Sequence, residues 1–178
     1  MWNVQMQVDI VDIMDQSITC SVNSDSHKFV FSIIYGVNEG VERRKLWQHL
    51  IALQGVVSQK PWILAGDWNV MAHPSKSSKF DGSQVPNLDM KEFTECLEHL
   101  AVFDHNFTGL LFTWSNKQGE GFMARKLDRV LVNSVWLQAY ESSKVEFLSS
   151  GESDHCLALV QLSQVVNSPP KPFKFFNF

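Results

Sequence analysis

At 178 residues, with 44% hydrophobic and 12% aromatic residues, the chain has the material for one packed domain and is too apolar for a disordered segment. A formal net charge of −4 excludes a generally basic nucleic-acid binder, although an enzyme can bring positive charge locally or through a metal ion. No apolar run approaches the roughly 18 residues of a membrane helix, the N-terminus lacks the basic and apolar blocks of a signal peptide, and Cys20, Cys96 and Cys156 are odd in number and far apart, as expected of reduced thiols in an intracellular protein.

Residues 2–22 alternate loosely and predict two strands or a ragged hairpin. Asp25-Ser26-His27 then marks a turn before Lys28–Tyr35, whose β-branched and aromatic residues predict a strand with Phe29, Phe31, Ile33 and Tyr35 on one face. Leu46, Leu50, Leu53 and Val57 recur at helical spacing within residues 39–57, and the intervening Arg43-Arg44-Lys45 reads as a solvated helix face. A fully apolar strand at 61–66 follows, so the order strand–helix–strand predicts an α/β layered fold. Residues 70–87, with Pro74, Gly82 and Pro86, form a loop long enough to be functional or mobile; Lys76 and Lys79 in it suit a solvated loop or a phosphate contact.

Asn87 predicts the N-cap of a helix with Met90, Phe93, Leu97 and Leu100 on its apolar side. Short strands are expected at Val102-Phe103 and Leu111–Trp114, and a longer one at Arg125–Val132. Ser134 is the expected cap of a short helix carrying Trp136, Leu137 and Tyr140. Strands at Lys144–Leu148 and Cys156–Leu162 complete a domain spanning residues 1–164. Pro169, Pro170 and Pro172 give residues 165–178 the character of a linker.

Four polar signals sit at the ends of these apolar strands: Tyr35 with Asn38, Asp67 with Asn69, Asp128, and Asp154-His155. Residues i and i+2 of an extended chain project to the same side, so Asp67 and Asn69 offer a carboxylate and an amide together; the same residues also suit an Asx-type turn. Asp128 lies in an apolar context and needs a partner, and an ion pair with Arg125 or Arg129 is the structural alternative to a catalytic one. Tyr35 alone also suits a core aromatic, and His155 a satisfied buried histidine. His27, His49, His73, His99 and His105 fit no motif.

Together, Gly66-Asp67-Trp68-Asn69, Phe112 to Asn116, Lys126 to Arg129 and Ser153 to His155 resemble, in that order, the endonuclease/exonuclease/phosphatase (DNase I-like) superfamily. The pattern is most similar to the endonuclease domain of plant non-LTR, LINE-type retrotransposons, and covers residues 2–162. The resemblance implies a four-layer α/β/β/α sandwich, Mg²⁺ or Mn²⁺ as cofactor with no small-molecule cofactor, DNA as partner, and nuclear work. It implies that Asp67 orients or deprotonates the attacking water while Asn69 fixes the geometry beside it. His155 contacts the phosphate and is oriented by Asp128, Asp154 helps bind the metal, and Tyr35 and Asn38 hydrogen-bond phosphate oxygens.

The chain departs from that pattern at its start. The resemblance places an Asn and a metal-binding Glu in the first strands of the fold, and Asp9, Asp12 and Asp15 lack their flanking residues. The expectation is therefore an N-terminally truncated domain of a metal-dependent phosphodiesterase, with little or no nuclease activity. A catalytically dead retroelement remnant is the alternative, and a non-catalytic interaction module has no positive feature in the sequence. Oligomeric state is not legible.

Overall fold

The computed structural model describes residues 6–162; residues 1–5 and the expected linker at 165–178 lie outside them. β1 (Gln7–Met14) and β2 (Ser17–Asn23) form an antiparallel hairpin, closed by the pair Met14–Ser17 and interrupted by one irregularity between Ile10 and Asp12. β2 continues antiparallel onto β3 (Lys28–Tyr35), and α1 (Gly40–Val57) carries the chain over to β4 (Trp62–Asp67), which pairs parallel to β3. The loop that follows contains a 3₁₀ turn at Pro74–Lys76. Then come α2 (Leu88–Leu100), β5 (Val102–Asp104), β6 (Phe107–Gly109), the two-residue pair β7 (Trp114–Ser115) and β8 (Ala124–Arg125), β9 (Asp128–Asn133), α3 (Ser134–Ala139), β10 (Lys144–Leu148) and β11 (Leu157–Gln161).

The strands form a six-stranded sheet in the order β1-β2-β3-β4-β9-β5 and a three-stranded sheet in the order β11-β10-β6. The period of two in the central strands divides the interior in two. Val30, Ile34, Leu64 and Leu131 face α1 and α2, where they meet Leu46, Leu50 and Phe93. The alternate residues Phe31, Ile63, Val130 and Val132 face Val145, Phe147 and Val160 of the smaller sheet. Helices, large sheet and small sheet are thus stacked as a DNase I-like α/β fold. The smaller sheet ends over β3, so Ile10, Ile13, Ile18 and Ile33 on the same side are 64%, 62%, 40% and 46% exposed. Among the described residues no helix is long and apolar enough to cross a membrane.

Four local expectations are corrected. Arg43 is buried, not on a solvated face: its Nη1 donates to the carbonyls of Val37 and Asn38 and its Nη2 pairs with Asp89 at 2.8 Å, whereas Arg44 and Lys45 pair with Glu92 and Glu42. The cap of α3 is Asn133, whose side chain accepts from the Trp136 amide, because a cap residue stands just before the first helical residue. The strand expected at 111–114 shrinks to Trp114–Ser115. The strand expected at 125–132 is broken at Lys126-Leu127, where the amides of Leu127 and Asp128 both donate to the Thr113 hydroxyl at 3.0 and 2.8 Å.

Candidate active site

Strand register assembles the site. β3 and β4 run parallel with Tyr35 opposite Asp67, and β9 runs antiparallel to β4 with Asp128 opposite Asp67. Residues directly opposite each other in a sheet project to the same face. Tyr35, Asp67 and Asp128 therefore form one row across three adjacent strands, on the side of the smaller sheet. The segment before β11 closes the row: Trp114 bridges to His155, and the Cys156 amide donates to the Thr113 carbonyl at 2.7 Å.

His155 Nδ1 lies 2.9 Å from Asp128 Oδ2 and 3.2 Å from Oδ1. A carboxylate only accepts, so Nδ1 carries the proton and Nε2 is the free nitrogen, 3.9 Å from Asp67 Oδ2. The side chains of Asp67, Asp128 and His155 are 12%, 12% and 31% exposed, so the group is dry on the protein side and open on one. Burial pulls the His155 imidazole down, but the hydrogen bond and charge of Asp128, with Asp67 and Asp154 behind it, raise it above 6.5 overall. The Asp67 carboxyl is also raised: burial contributes most, the Asn69 amide opposes it, and the Asp128 charge adds to it.

Gly66 is what makes Asp67 available. Its φ is +144°, and a Cβ there would stand 2.0 Å from the Ile34 carbonyl oxygen. Beyond it the chain makes the Asx turn legible in the sequence. The Asn69 amide donates to Asp67 Oδ1 at 2.8 Å, with Asn69 itself at φ 51°, a conformation that asparagine tolerates. Asn69 Nδ2 then donates to the Gly36 carbonyl at 3.2 Å, tying the end of β4 to the end of β3. The turn and the functional reading are the same geometry, since the turn uses one Asp67 oxygen and leaves Oδ2 facing the cluster.

Asp67, Asp128 and His155 each offer a ligand atom within 4.8 Å of the others, a grouping able to hold a metal ion. A pair of half-dehydrated carboxylates is electrostatically unfavourable without a cation, as the raised Asp67 records, so the donor set suits a hard divalent ion. Asp154 stands outside this group: its Oδ2 accepts from Trp114 Nε1 at 3.0 Å, a bond that holds the exposed carboxyl below its usual range. Tyr35 is 71% exposed. Asn38 is also exposed, on a segment fixed through its carbonyl by Arg43 at 2.6 Å.

Sequence reasoning gave no role to Thr113 or Trp114, although both lie in the Phe112 to Asn116 segment. Thr113 is fully buried and its hydroxyl holds the two amides at the start of β9, so it sets where Asp128 begins. Trp114 restrains Asp154. Nothing in residue type alone marks them, because both are ordinary strand residues.

The Endonuclease/Exonuclease/phosphatase family model matches residues 9–155. No curated protein is a significant sequence match to the chain. Among solved structures, the endonuclease domain of TRAS1, a telomere-specific non-LTR retrotransposon, is 13% identical with a TM-score of 0.69, over 92% of this chain and 72% of that domain. Truncated Caenorhabditis elegans TDP2 is 15% identical with a TM-score of 0.53, over 89% of this chain and 67% of that one. A Staphylococcus aureus beta toxin variant with bound magnesium ions is 14% identical with a TM-score of 0.50, over 83% of this chain and 54% of the toxin. At such identities the likeness is one of fold.

Proposed function

The chain belongs to the endonuclease/exonuclease/phosphatase family, and from that premise we propose that it is a retroelement-type DNA endonuclease domain acting in the nucleus on phosphodiester bonds, with weak activity. What supports this is the meeting of Asp67, Asp128 and His155 within 4.8 Å at the end of a row that includes Tyr35.

In this reading Asp67 Oδ2 takes a proton from the attacking water, its raised affinity for protons bringing it nearer to the range useful for a general base. Asn69 keeps that oxygen aimed by occupying the other. His155 donates its Nδ1–H to Asp128 and presents Nε2–H, when protonated, to a phosphate oxygen. Tyr35 and Asn38, exposed at the same strand end, donate hydrogen bonds to the phosphate as charge develops. Asp128, with Asp154 at the rim, would hold Mg²⁺ or Mn²⁺, which would neutralise phosphoryl charge and help the leaving oxygen depart when bound.

Among the described residues no glutamate joins the two carboxylates of the group. A hard cation held by so few protein oxygens relies on water and substrate for the rest of its shell, which is why the activity is proposed to be weak. The same shortage favours a second reading, a silent remnant that retains DNA affinity. Nicking of supercoiled plasmid by the purified chain in Mg²⁺ or Mn²⁺ separates the two. Slow cleavage abolished by Asp67→Ala supports the endonuclease, DNA binding with no cleavage supports the remnant, and neither binding nor cleavage overturns both.

A further inference from the structure

β3 ends at Tyr35, and residues 36–38, which carry the chain on to Asn38, belong to no helix or strand. The backbone polar groups of this segment are nonetheless met one by one from outside it. The Tyr35 amide donates to the Gln16 carbonyl at 2.9 Å, and the Gly36 amide to the Asp67 carbonyl at 2.8 Å. The Gly36 carbonyl accepts from Asn69 Nδ2 at 3.2 Å, and the Val37 amide donates to Gln16 Oε1 at 3.0 Å. Arg43 Nη1 donates to the Val37 and Asn38 carbonyls at 2.8 and 2.6 Å. A Cβ at Gly36 would stand 2.8 Å from the Trp68 carbonyl oxygen, so the segment lies directly against the Asp67–Asn69 turn.

Two of these supports are side chains that substrate does not reach: Gln16 is 5% exposed and Arg43 3%. A buried guanidinium is costly unless its donors are used, and the planar fork of Arg43 divides them between two tasks. Nη1 serves the two carbonyls, and Nη2 pairs at 2.8 Å with Asp89 in the first turn of α2. Gln16 is divided in the same way. Its Oε1 accepts from Val37, and its Nε2 donates to the Glu42 carbonyl of α1 at 3.1 Å. The segment is thereby tied to the turn between β1 and β2, to α1 and to α2. The tips of Tyr35 and Asn38 stay in solvent while the backbone that carries them is fixed.

We propose that Arg43 and Gln16 are positioning residues of the active site, which hold Tyr35 and Asn38 so that both donors meet one phosphate of the DNA together. The proposal rests on the endonuclease reading and assigns the support behind its two phosphate donors. A free strand end would lose backbone entropy on meeting the phosphate, whereas this one is ordered when the chain folds. Arg43→Lys exposes the role, because it keeps the charge and replaces the fork with a single ammonium. That group can serve Asp89 or the carbonyls, but not both.

The test is a mutant cycle on single-turnover nicking of supercoiled plasmid by the full chain in Mn²⁺. Arg43→Lys should slow nicking about tenfold or more, the scale expected of misplaced contacts, while thermal melts show it folded. In a Tyr35→Phe/Asn38→Ala background the same substitution should change the rate by less than about twofold, because the groups it positions are gone. A role in folding alone would slow both backgrounds alike and overturns the proposal, as does a folded Arg43→Lys that nicks at the wild-type rate. Gln16→Met, which removes both side-chain bonds, runs the same cycle should Arg43→Lys fail to fold. Independently of any variant, the Val37 amide of the wild type should exchange slowly with deuterium in NMR spectra, and free exchange overturns the clamp. If the wild-type chain binds DNA without nicking it, the endonuclease reading fails alone. The cycle is then read in affinity by fluorescence anisotropy of a labelled duplex, where additive effects overturn the positioning role. If the wild-type chain binds no DNA, both inferences fall together.

Discussion

His155 Nδ1 sits 2.9 Å from Asp128 Oδ2, and this single bond fixes which imidazole nitrogen faces Asp67. Removing the Asp128 charge while keeping its shape should therefore move the titration of His155. In Asp128→Asn the hydrogen bond and the charge that raise His155 are both lost, while the burial that lowers it remains. The expected outcome is a downward shift of the His155 midpoint, read from its imidazole resonances in an NMR pH titration. The sign carries into stability. A histidine whose folded value is raised stabilises the fold fully below its ordinary value of 6.5 and loses that contribution as pH rises through the raised one. The wild type should thus lose stability across that window relative to Asp128→Asn. An unmoved His155 midpoint would break the pairing.

The row that makes this site was largely legible, because strand ends are set by local chemistry. The apolar run 61–66, which ends in Gly66, identifies the end of β4, and the alternation in Lys28–Tyr35 identifies the end of β3, so Asp67 and Tyr35 could be found without coordinates. What residue type cannot give is the cross-chain partner. Arg43 reads as solvated until Asp89, 46 residues away, comes to meet it, and the break before Asp128 depends on the Thr113 hydroxyl. Asp154 illustrates the same limit, since its carboxylate is engaged by an indole 40 residues distant.

Gly66 is the most constrained backbone position near the site. A methyl group there would meet the Ile34 carbonyl oxygen at 2.0 Å, in a conformation with φ of +144° that side chains rarely adopt. Gly66→Ala is expected to destabilise the fold by about 3 kcal/mol or more, combining backbone strain with a clash that β3 can relieve only by moving. Chemical denaturation would show this as a lower midpoint, and the DNA cleavage proposed above should disappear with it. A variant with unchanged midpoint would mean that β3 and β4 are less tightly joined than their register indicates.

Lys126 makes the opposite kind of prediction. Its side chain is 2% exposed, with Nζ 3.7 Å above the Phe107 ring and 3.6 Å from Asp104 Oδ1. Burial outweighs Asp104 and pulls the amine down to about 8. Between pH 8 and 10.5 the unfolded chain therefore binds more protons at this site than the folded one, and stability should rise with pH across that interval. Lys126→Met keeps the length, removes the charge and leaves Asp104 paired with Arg129 at 2.5 Å. It should be at least as stable as the wild type at pH 7 and should lose that alkaline rise, as followed by denaturation at a series of pH values. A strongly destabilised Lys126→Met would show that the contact with Phe107 and Asp104 is worth more than the burial it requires.

The uncovered side of β1 and β2 leads to the last expectation. Register places Ile13, Ile18 and Ile33 side by side, and Ile10 opposite Cys20 in a neighbouring row, beyond the reach of the smaller sheet. Contiguous exposed branched residues on a sheet face are a self-association hazard. Replacing Ile10 and Ile13 with threonine retains the β-branch and strand preference while removing apolar surface from solvent. Because both side chains are more than 60% exposed, the double variant should melt within about 1 kcal/mol of the wild type. Its sedimentation should shift toward monomer at concentrations where the wild type associates. Equal association in both would mean that contacts between copies are made elsewhere on the surface. A large loss of stability would mean that this face is packed in solution, and that the isoleucines belong to a core.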